Sequence, residues 1–221
     1  MSWTQINSKM IEVPASDGVL ARHGSMLAYK GEVVFAPTAG SGGVGGFVGR
    51  MVRGEQVSMM QVQGQGTVLL GHAGLNIEIL DGGGEQIIVE ADRLLAYDNS
   101  KQAATRSLSQ ASGGGGGGGL RGALRGAVTG AVTGQGMWTT VLTGPGGVAV
   151  LSHGPVFSLP VGGGEVKVDP QAFVCAVGQV KVEVSANVGF REMTGRGSGE
   201  GIQLKCSGSG KVYVQASEQK L

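Results

Sequence analysis

Three histidines are the residues of this sequence best suited to binding a metal or moving a proton. They are His23, His72 and His153, and the last two follow similar GxGxVxV runs at nearly equivalent places. A metal site needs three or four converging ligands, usually histidine, cysteine or carboxylate. No local spacing supplies such a set here, and only a symmetric oligomer would bring copies of one histidine together. We therefore expect no metal site.

The two cysteines are the candidate nucleophiles. Cys175 and Cys206 lie 31 residues apart, each in an apolar alternating run, which is typical of reduced cysteines in a protein core. Neither shares a motif with a histidine, and the chain has no GxSxG motif. The sequence therefore predicts no catalytic residue and no enzyme. The alternative is a hydrolase or a small-ligand-binding protein that uses a cleft between repeat units near His72 or His153.

A glycine-rich stretch at 40–45, GSGGVG, matches the GxGxxG pattern of dinucleotide-binding loops. In those folds the motif joins a strand to a helix, and an acidic residue further along binds the ribose. No alternation of strands and helices surrounds the motif here, and no acidic residue stands at the expected distance. We therefore expect a loop and no bound cofactor.

The composition limits the classes of partner. Of 221 residues, 41% are hydrophobic, 15% are charged and 44 are glycine, and the net charge is +1. This balance creates no global electrostatic field that would recruit nucleic acid or an anionic membrane. Aromatic residues make up only 5% of the chain, and no basic stripe recurs on the strands, so we expect no nucleic-acid partner.

The N-terminal stretch MSWTQINSKM does not resemble a signal peptide. No uncharged run approaches the ~18 apolar residues that a spanning helix needs. The expected location is therefore the cytoplasm, either free or in peripheral contact with a membrane.

The chain repeats itself. Residues 64–97 align without a gap with residues 144–177, at an offset of 80 residues, and residues 207–216 hold a third, partial copy of the GxGxVxV pattern. Such a duplication indicates an architecture of repeated units. The predicted organisation is an N-terminal strand or arm at 1–17, a first unit at 18–91, a second at 92–170 with a glycine-rich insertion at 112–136, and a partial third at 171–221.

Each unit shows the pattern of β-strands. Short runs such as NIEIL and KVYVQA are rich in β-branched residues or alternate apolar and polar residues, and glycines bound them. The fold class is therefore all-β, a β-sandwich or barrel-like scaffold of three related units. Each GxG motif can adopt positive φ and predicts a hairpin turn. These turn residues are Gly64, Gly66, Gly144, Gly146, Gly208 and Gly210.

Four stretches together carry a family resemblance: HGSMLAY (23–29), RLLAYD (93–98), TGQGMWTTVLTGPGGVAVLS (133–152) and AFVCAVGQVKVEV (172–184). They resemble the altered-inheritance-of-mitochondria 24 family, whose members have a fold like that of the tryptophan RNA-binding attenuation protein. The resemblance implies a scaffold of repeated β-units that self-associates, so we expect a homo-oligomer, a trimer or larger. It assigns no catalytic residue.

Two glycine-rich insertions precede the GxG motifs of the first two units. The second contains LRGALRGAVTGAVTG at 120–134. As a helix it would gather leucine and valine on one stripe, but fifteen helical residues reach only ~22 Å, short of the ~30 Å hydrocarbon core. We therefore exclude a membrane span. The candidate interaction residues are Arg50, Arg53, Leu120, Arg121, Leu124, Arg125, Val128 and Val132.

Three arrangements remain open for this second insertion. It docks as a short helix on its own scaffold or a sister subunit, it contacts a partner or a lipid surface, or it is a disordered loop. The predicted function is a non-catalytic, self-associating β-scaffold that presents glycine-rich, basic and apolar loops to a protein or a membrane surface. An exposed apolar patch would favour this function, whereas a deep pocket with converging histidines and carboxylates would favour the alternative.

Overall fold

The computed structural model describes residues 3–38, 57–81, 83–108, 137–186, 202–219 and 221. Across these ranges the fold is all-β, as the sequence predicts, and one short 3-10 turn at Ala91–Arg93 precedes a strand. The candidate residues in the first two glycine-rich insertions lie outside the described residues, as does the stretch 120–134, for which a short helix is one of the open arrangements.

The strands, in chain order, are β1 (Thr4–Asn7), β2 (Met10–Pro14), β3 (Val19–Arg22), β4 (Met26–Pro37), β5 (Met59–Leu70), β6 (Asn76–Asp81), β7 (Ile87–Glu90), β8 (Leu94–Asp98), β9 (Gln102–Ser107), β10 (Trp138–Thr143), β11 (Gly147–Ser152), β12 (Val156–Val161), β13 (Val166–Val168), β14 (Phe173–Ala186) and β15 (Ile202–Gln215). They form two antiparallel sheets. The first has the order β1-β2-β5-β3-β8-β11-β6, with β4 also paired to β5. The second has the order β12-β15-β14-β7-β10-β9, with β13 also paired to β15.

Burial alternates along the strands that have one face in the core. In β15, Ile202, Leu204 and Cys206 are buried while the residues between them are partly exposed, which is the period of two that a half-buried strand requires. Strand β7 is buried at every position because it lies where the two sheets meet. Its residues Ile87 and Val89 join a core cluster that contains members of both sheets.

The same order of elements occurs three times: two short strands are followed by a long hairpin. The short strands are β2 and β3, β6 and β7, and β12 and β13; the hairpins are β4–β5, β8/β9–β10/β11 and β14–β15. In each group the second arm of the hairpin pairs with both short strands. The groups span 10–70, 76–152 and 156–215, so each starts earlier than the unit drawn from the sequence.

The middle hairpin belongs to both sheets. Its lower half, β8 with β11, pairs in the first sheet, and its upper half, β9 with β10, pairs in the second. At the change of sheet, Ser100 Oγ donates to the Pro145 carbonyl oxygen over 2.8 Å, and Lys101 Nζ donates to the Gly144 carbonyl oxygen over 2.7 Å. Lys101 is buried, and this burial lowers the pKa of its ammonium group, although Asp98 opposes the shift.

The six glycines of the GxG motifs do not all lie in turns. Gly144 and Gly146 lie between β10 and β11, with φ of 99° and 98°. The other two motifs lie inside long strands, Gly64 and Gly66 in β5 and Gly208 and Gly210 in β15. Gly144 and Gly146 lie in a bend within the second arm of the middle hairpin, because β10 pairs with β7 and β9 while β11 pairs with β6 and β8. The prediction of a hairpin turn is therefore wrong at all three motifs.

The close approach of paired backbones explains the glycines inside the strands. A Cβ atom on Gly66 would overlap the carbonyl oxygen of Lys30 on the neighbouring strand. A Cβ atom on Gly210 would overlap the carbonyl oxygen of Val177 in the same way. Glycine in a strand interior commonly marks such an approach, and both positions need a residue without a side chain.

Candidate interaction surface

The outer edge of β4 is an exposed apolar strip. In the described part of the chain, β4 pairs with β5 along its length and with no strand on its other side. Met26, Leu27, Tyr29 and Val34 are all exposed although each is large and apolar, and we call these four residues the β4 strip. Tyr29 also contacts Phe35 edge to face, with ring centroids 5.4 Å apart. Large apolar side chains exposed together on one strand are candidates for an interaction site.

The three long hairpins carry glycine-rich segments at their tips. The segments at 39–56, 109–136 and 187–201 connect β4 to β5, β9 to β10 and β14 to β15. The last residue pairs before these segments are Pro37 with Met60, Ser107 with Trp138, and Ala186 with Ile202. Each segment therefore leaves and rejoins the scaffold through two paired strands.

The sequence reasoning missed the third of these segments. It reads NVGFREMTGRGSGEG and, like the first two, contains two arginines, Arg191 and Arg196. The signal was present, because glycine and arginine are as concentrated here as in the first insertion. The prediction of a partial third unit leaves no place for an insertion there, whereas the structure shows a complete hairpin, β14–β15.

The predicted arginine, leucine and valine candidates all belong to the first two segments. The structure fixes the strands that hold them but describes none of these eight residues: Arg50, Arg53, Leu120, Arg121, Leu124, Arg125, Val128 and Val132.

The histidines of the alternative function line neither of two clefts found among the described residues. One cleft of about 400 Å³ lies between β3, β5 and β8–β10, and includes Leu20 and Tyr97. The other, of about 660 Å³, lies beside β1, β6 and β12. Among the described residues that line them, the only carboxylate is Glu78, and there is no histidine.

The two repeat histidines have other surroundings. The backbone N–H of His153 donates to Gln215 Oε1 over 2.8 Å. Burial lowers the pKa of His72, and the positive charge of Arg22 lowers it further. The described residues contain no group of three histidine, cysteine, aspartate or glutamate side chains arranged to hold a metal ion.

Both cysteines are free and buried, as their apolar surroundings in the sequence indicate. Burial raises the pKa of the Cys206 thiol to about 11. Burial raises the pKa of Cys175 further still, and the negative charge of Glu78 adds to that shift. Because the thiolate is the reactive form of cysteine, neither side chain is prepared for nucleophilic chemistry at neutral pH.

A buried arginine holds the second and third groups together. Arg93 is fully buried, and its Nε donates to Glu90 Oε2 over 2.6 Å while Nη1 donates to Gln215 Oε1 over 2.5 Å. Its Nη2 donates to the Gln171 carbonyl oxygen over 2.8 Å. The Gln215 amide donates in turn to the Gln219 carbonyl oxygen. Its partners among the described residues all belong to the scaffold, so this charge joins the second group to the third.

The comparison with known proteins agrees with this scaffold. The sequence profile of the family described as mitochondrial biogenesis AIM24 matches residues 5–217. The chain belongs to the AIM24 family. This membership confirms the resemblance seen in the sequence. No curated protein matches the chain significantly.

A solved structure shares the AIM24-family fold of this chain. The crystal structure of protein SPYM3_0169 from Streptococcus pyogenes superposes with a TM-score of 0.70, covering 98% of this chain and 92% of that chain. The two sequences are 21% identical, so the likeness shows the fold alone. Within the described ranges, no helix is long and apolar enough to cross a membrane.

Proposed function

We propose that this member of the AIM24 family is a non-catalytic, self-associating β-scaffold that presents glycine-rich, basic and apolar segments to a protein or a membrane surface in the cytoplasm. The observation that carries the proposal is the placement of the three segments. Each joins the two arms of a long, fully paired hairpin, so a rigid base holds both of its ends.

The charge of the second segment supports contact with an acidic surface, because no carboxylate offsets its arginines, whereas the first segment also contains Glu55 and the third contains two glutamates. Each segment contains a pair of arginines: Arg50 and Arg53, Arg121 and Arg125, and Arg191 and Arg196. A guanidinium group binds phosphate or carboxylate through two parallel hydrogen bonds. Contacts of this kind are individually weak, but self-association of the scaffold would add them together through a high effective concentration.

The alternative of a hydrolase or a small-ligand-binding protein has less support. The described lining of the two clefts has one carboxylate, Glu78, and lacks the converging histidines that the alternative requires. The backbone N–H of His153 donates to Gln215, and neither repeat histidine is among the described residues that line the two clefts.

A vesicle-binding experiment tests the proposal. The Arg121→Gln/Arg125→Gln variant removes one arginine pair, and Lys9→Gln/Lys211→Gln removes the same charge from two exposed positions on the scaffold. At about 1 kcal/mol for each basic residue near an anionic bilayer, the arginine variant should bind phosphatidylserine vesicles about 30-fold more weakly. The lysine variant should lose far less, and neutral vesicles should bind neither protein.

A second experiment distinguishes a protein partner from a membrane surface. If wild-type protein captures an acidic protein from lysate, the arginine variant does not, and vesicles bind neither, the target is a protein. If no surface distinguishes the two variants, and deletion of 113–134 unfolds the scaffold or breaks the oligomer, the segment is structural and the proposal fails.

A further inference from the structure

The chain contains two contacts in which a short strand of one group pairs with the hairpin of the next. In the first, β3 pairs with β8, so that Leu20 lies opposite Tyr97 and Ala21 opposite Ala96. In the second, β7 pairs with β14 in the same antiparallel sense. Both contacts use the outer edge of the first arm of the hairpin.

The first arms of the three hairpins share one register. In each, a bulge skips the second residue of the strand; the skipped residues are Leu27 in β4, Leu95 in β8 and Val174 in β14. The next two positions therefore correspond across the hairpins, at 28–29, 96–97 and 175–176. In β8 and β14 these positions pair with a short strand of the preceding group.

Among the described strands, none covers β4 in the way that β3 covers β8 and β7 covers β14. Leu95 and Val174 are completely buried, whereas Leu27 is 53% exposed. Tyr97 is 9% exposed, whereas Tyr29, at the same register position, is 53% exposed. The β4 strip is thus the part of the repeated interface that remains uncovered.

Strand β13 occupies in the third group the position that β3 and β7 occupy in the first two groups. It pairs with β15 as β3 pairs with β5 and as β7 pairs with β10, at the same distance before the GxG motif. Its residues are Val166, Lys167 and Val168, and the exposed side chain of Lys167 lies in its middle. In the described part of the chain, the other edge of β13 has no partner strand.

We propose that β4 of one copy pairs with β13 of a second copy in the antiparallel register Ala28–Val168, Tyr29–Lys167 and Lys30–Val166, which repeats between chains the contact made twice within each chain. This inference rests on the self-association in the proposed function and assigns it an interface.

The occupant of the β4 strip is a second copy because the chain carries both halves of the contact. Their positions in the hairpins match the two contacts that the chain already makes, and β4 and β13 lie in different sheets and do not pair within the chain. Because the two surfaces differ, the contact is head-to-tail, and it produces a closed ring or an open filament. A two-fold β4–β4 dimer is the competing arrangement.

A charge exchange tests the register. Tyr29→Lys places a second lysine opposite Lys167 and should reduce the association constant at least tenfold, measured by sedimentation velocity over a range of concentrations. The double variant Tyr29→Lys/Lys167→Glu should restore it. Val34→Lys is the matched control, since Val34 is exposed on the same strand beyond the proposed pair. This control should associate as the wild type does.

A mixing experiment tests the direction. The chain with Tyr29→Cys and the chain with Lys167→Cys should form a disulfide-linked dimer on mild oxidation only when the two are mixed. Both native cysteines are buried, so they do not compete. Cross-linking of the Tyr29→Cys chain with itself would show the β4–β4 dimer and overturn the proposal.

The outcomes separate this interface from the proposed function. If the wild type associates and Tyr29→Lys associates equally well, the β4–β13 interface is wrong, while self-association stands. If the wild type remains a monomer at every concentration, both fail. The display of the arginine-bearing segments is then judged by the vesicle experiment alone.

Discussion

Tyr29 and Tyr97 occupy the same register position on two hairpins, yet one side chain is exposed and the other is buried. Tyr29 lies opposite Val68 and Tyr97 opposite Val148, and each valine stands two residues after a GxG motif. The local sequences, MLAY and LLAY, are nearly the same. The difference comes from β3, which covers the edge of β8 and leaves that of β4 open.

The equivalent leucines should therefore differ in their contribution to stability. We expect Leu95→Ala to lower the free energy of unfolding by about 2–5 kcal/mol because it leaves a cavity in the core. Leu27→Ala should change it by less than about 0.5 kcal/mol in dilute protein. Urea denaturation of both variants measures the difference. Equal losses would mean that Leu27 is covered even at low concentration.

The buried arginine gives a second prediction. Arg93→Met should destabilise the fold by about 3–5 kcal/mol, because the buried Glu90 carboxylate loses its ion-pair partner. Arg93→Met/Glu90→Gln should recover part of this loss, since no uncompensated charge remains. Lys211→Met, at an exposed position of β15, is the control and should be nearly neutral. Thermal denaturation of the wild type and the three variants measures these differences. If Arg93→Met left the stability unchanged, the buried network would not stabilise the fold.

Much of the secondary structure is readable because its signal is local. NIEIL and KVYVQA alternate or carry β-branched residues, and they lie in β6 and β15. The role of a GxG motif is not local, because a glycine pair in a bend between two strands and one inside a strand have the same sequence. The distinction depends on the carbonyl oxygen of Lys30, far from Gly66 in the chain.

The 80-residue offset of the sequence alignment differs by one residue from the offset that the strand pairing gives in the region of β6 and β12. Leu80 lies opposite Val148, and its counterpart opposite Val212 is Leu159, which follows it by 79 residues and not by 80. The link that leads into β12 is thus one residue shorter than the link into β6. Runs of glycine match at either offset, so the ungapped alignment could not detect the deletion.

The exposed strip and the buried arginine could not be predicted, for a related reason. Ser25 and Arg93 stand at the same place before the MLAY and LLAY runs, and both are buried. Only the structure shows that Arg93 reaches Gln215 in the last hairpin. Leu27 is exposed because no described strand covers the outer edge of β4, and the sequence of β4 itself does not indicate whether such a strand is present.

Substitution of the strand glycines should be costly where the backbones approach closely. We expect Gly66→Ala to lower the free energy of unfolding by about 1–3 kcal/mol, because the new methyl group overlaps the Lys30 carbonyl oxygen and forces the two strands apart. Gly162→Ala is the matched control, since a Cβ atom there meets no neighbour within 4 Å. Denaturant titration should show a shift for the first variant only. A neutral Gly66→Ala would indicate that the hairpin can separate there at little cost.

Thiol reactivity reports how firmly the core is closed. With a pKa of about 11, Cys206 is ionised in only about one molecule in a thousand at pH 8, and Cys175 is ionised even less often. We therefore expect a thiol-specific disulfide reagent to label the native protein slowly and the urea-unfolded protein quickly, with two thiols released. The native rate should rise as the pH increases from 7 to 10, because a larger fraction becomes thiolate. Cys206→Ser should leave one slow thiol. Rapid native labelling at pH 7 would show that the β14–β15 hairpin opens readily, because that hairpin holds both cysteines.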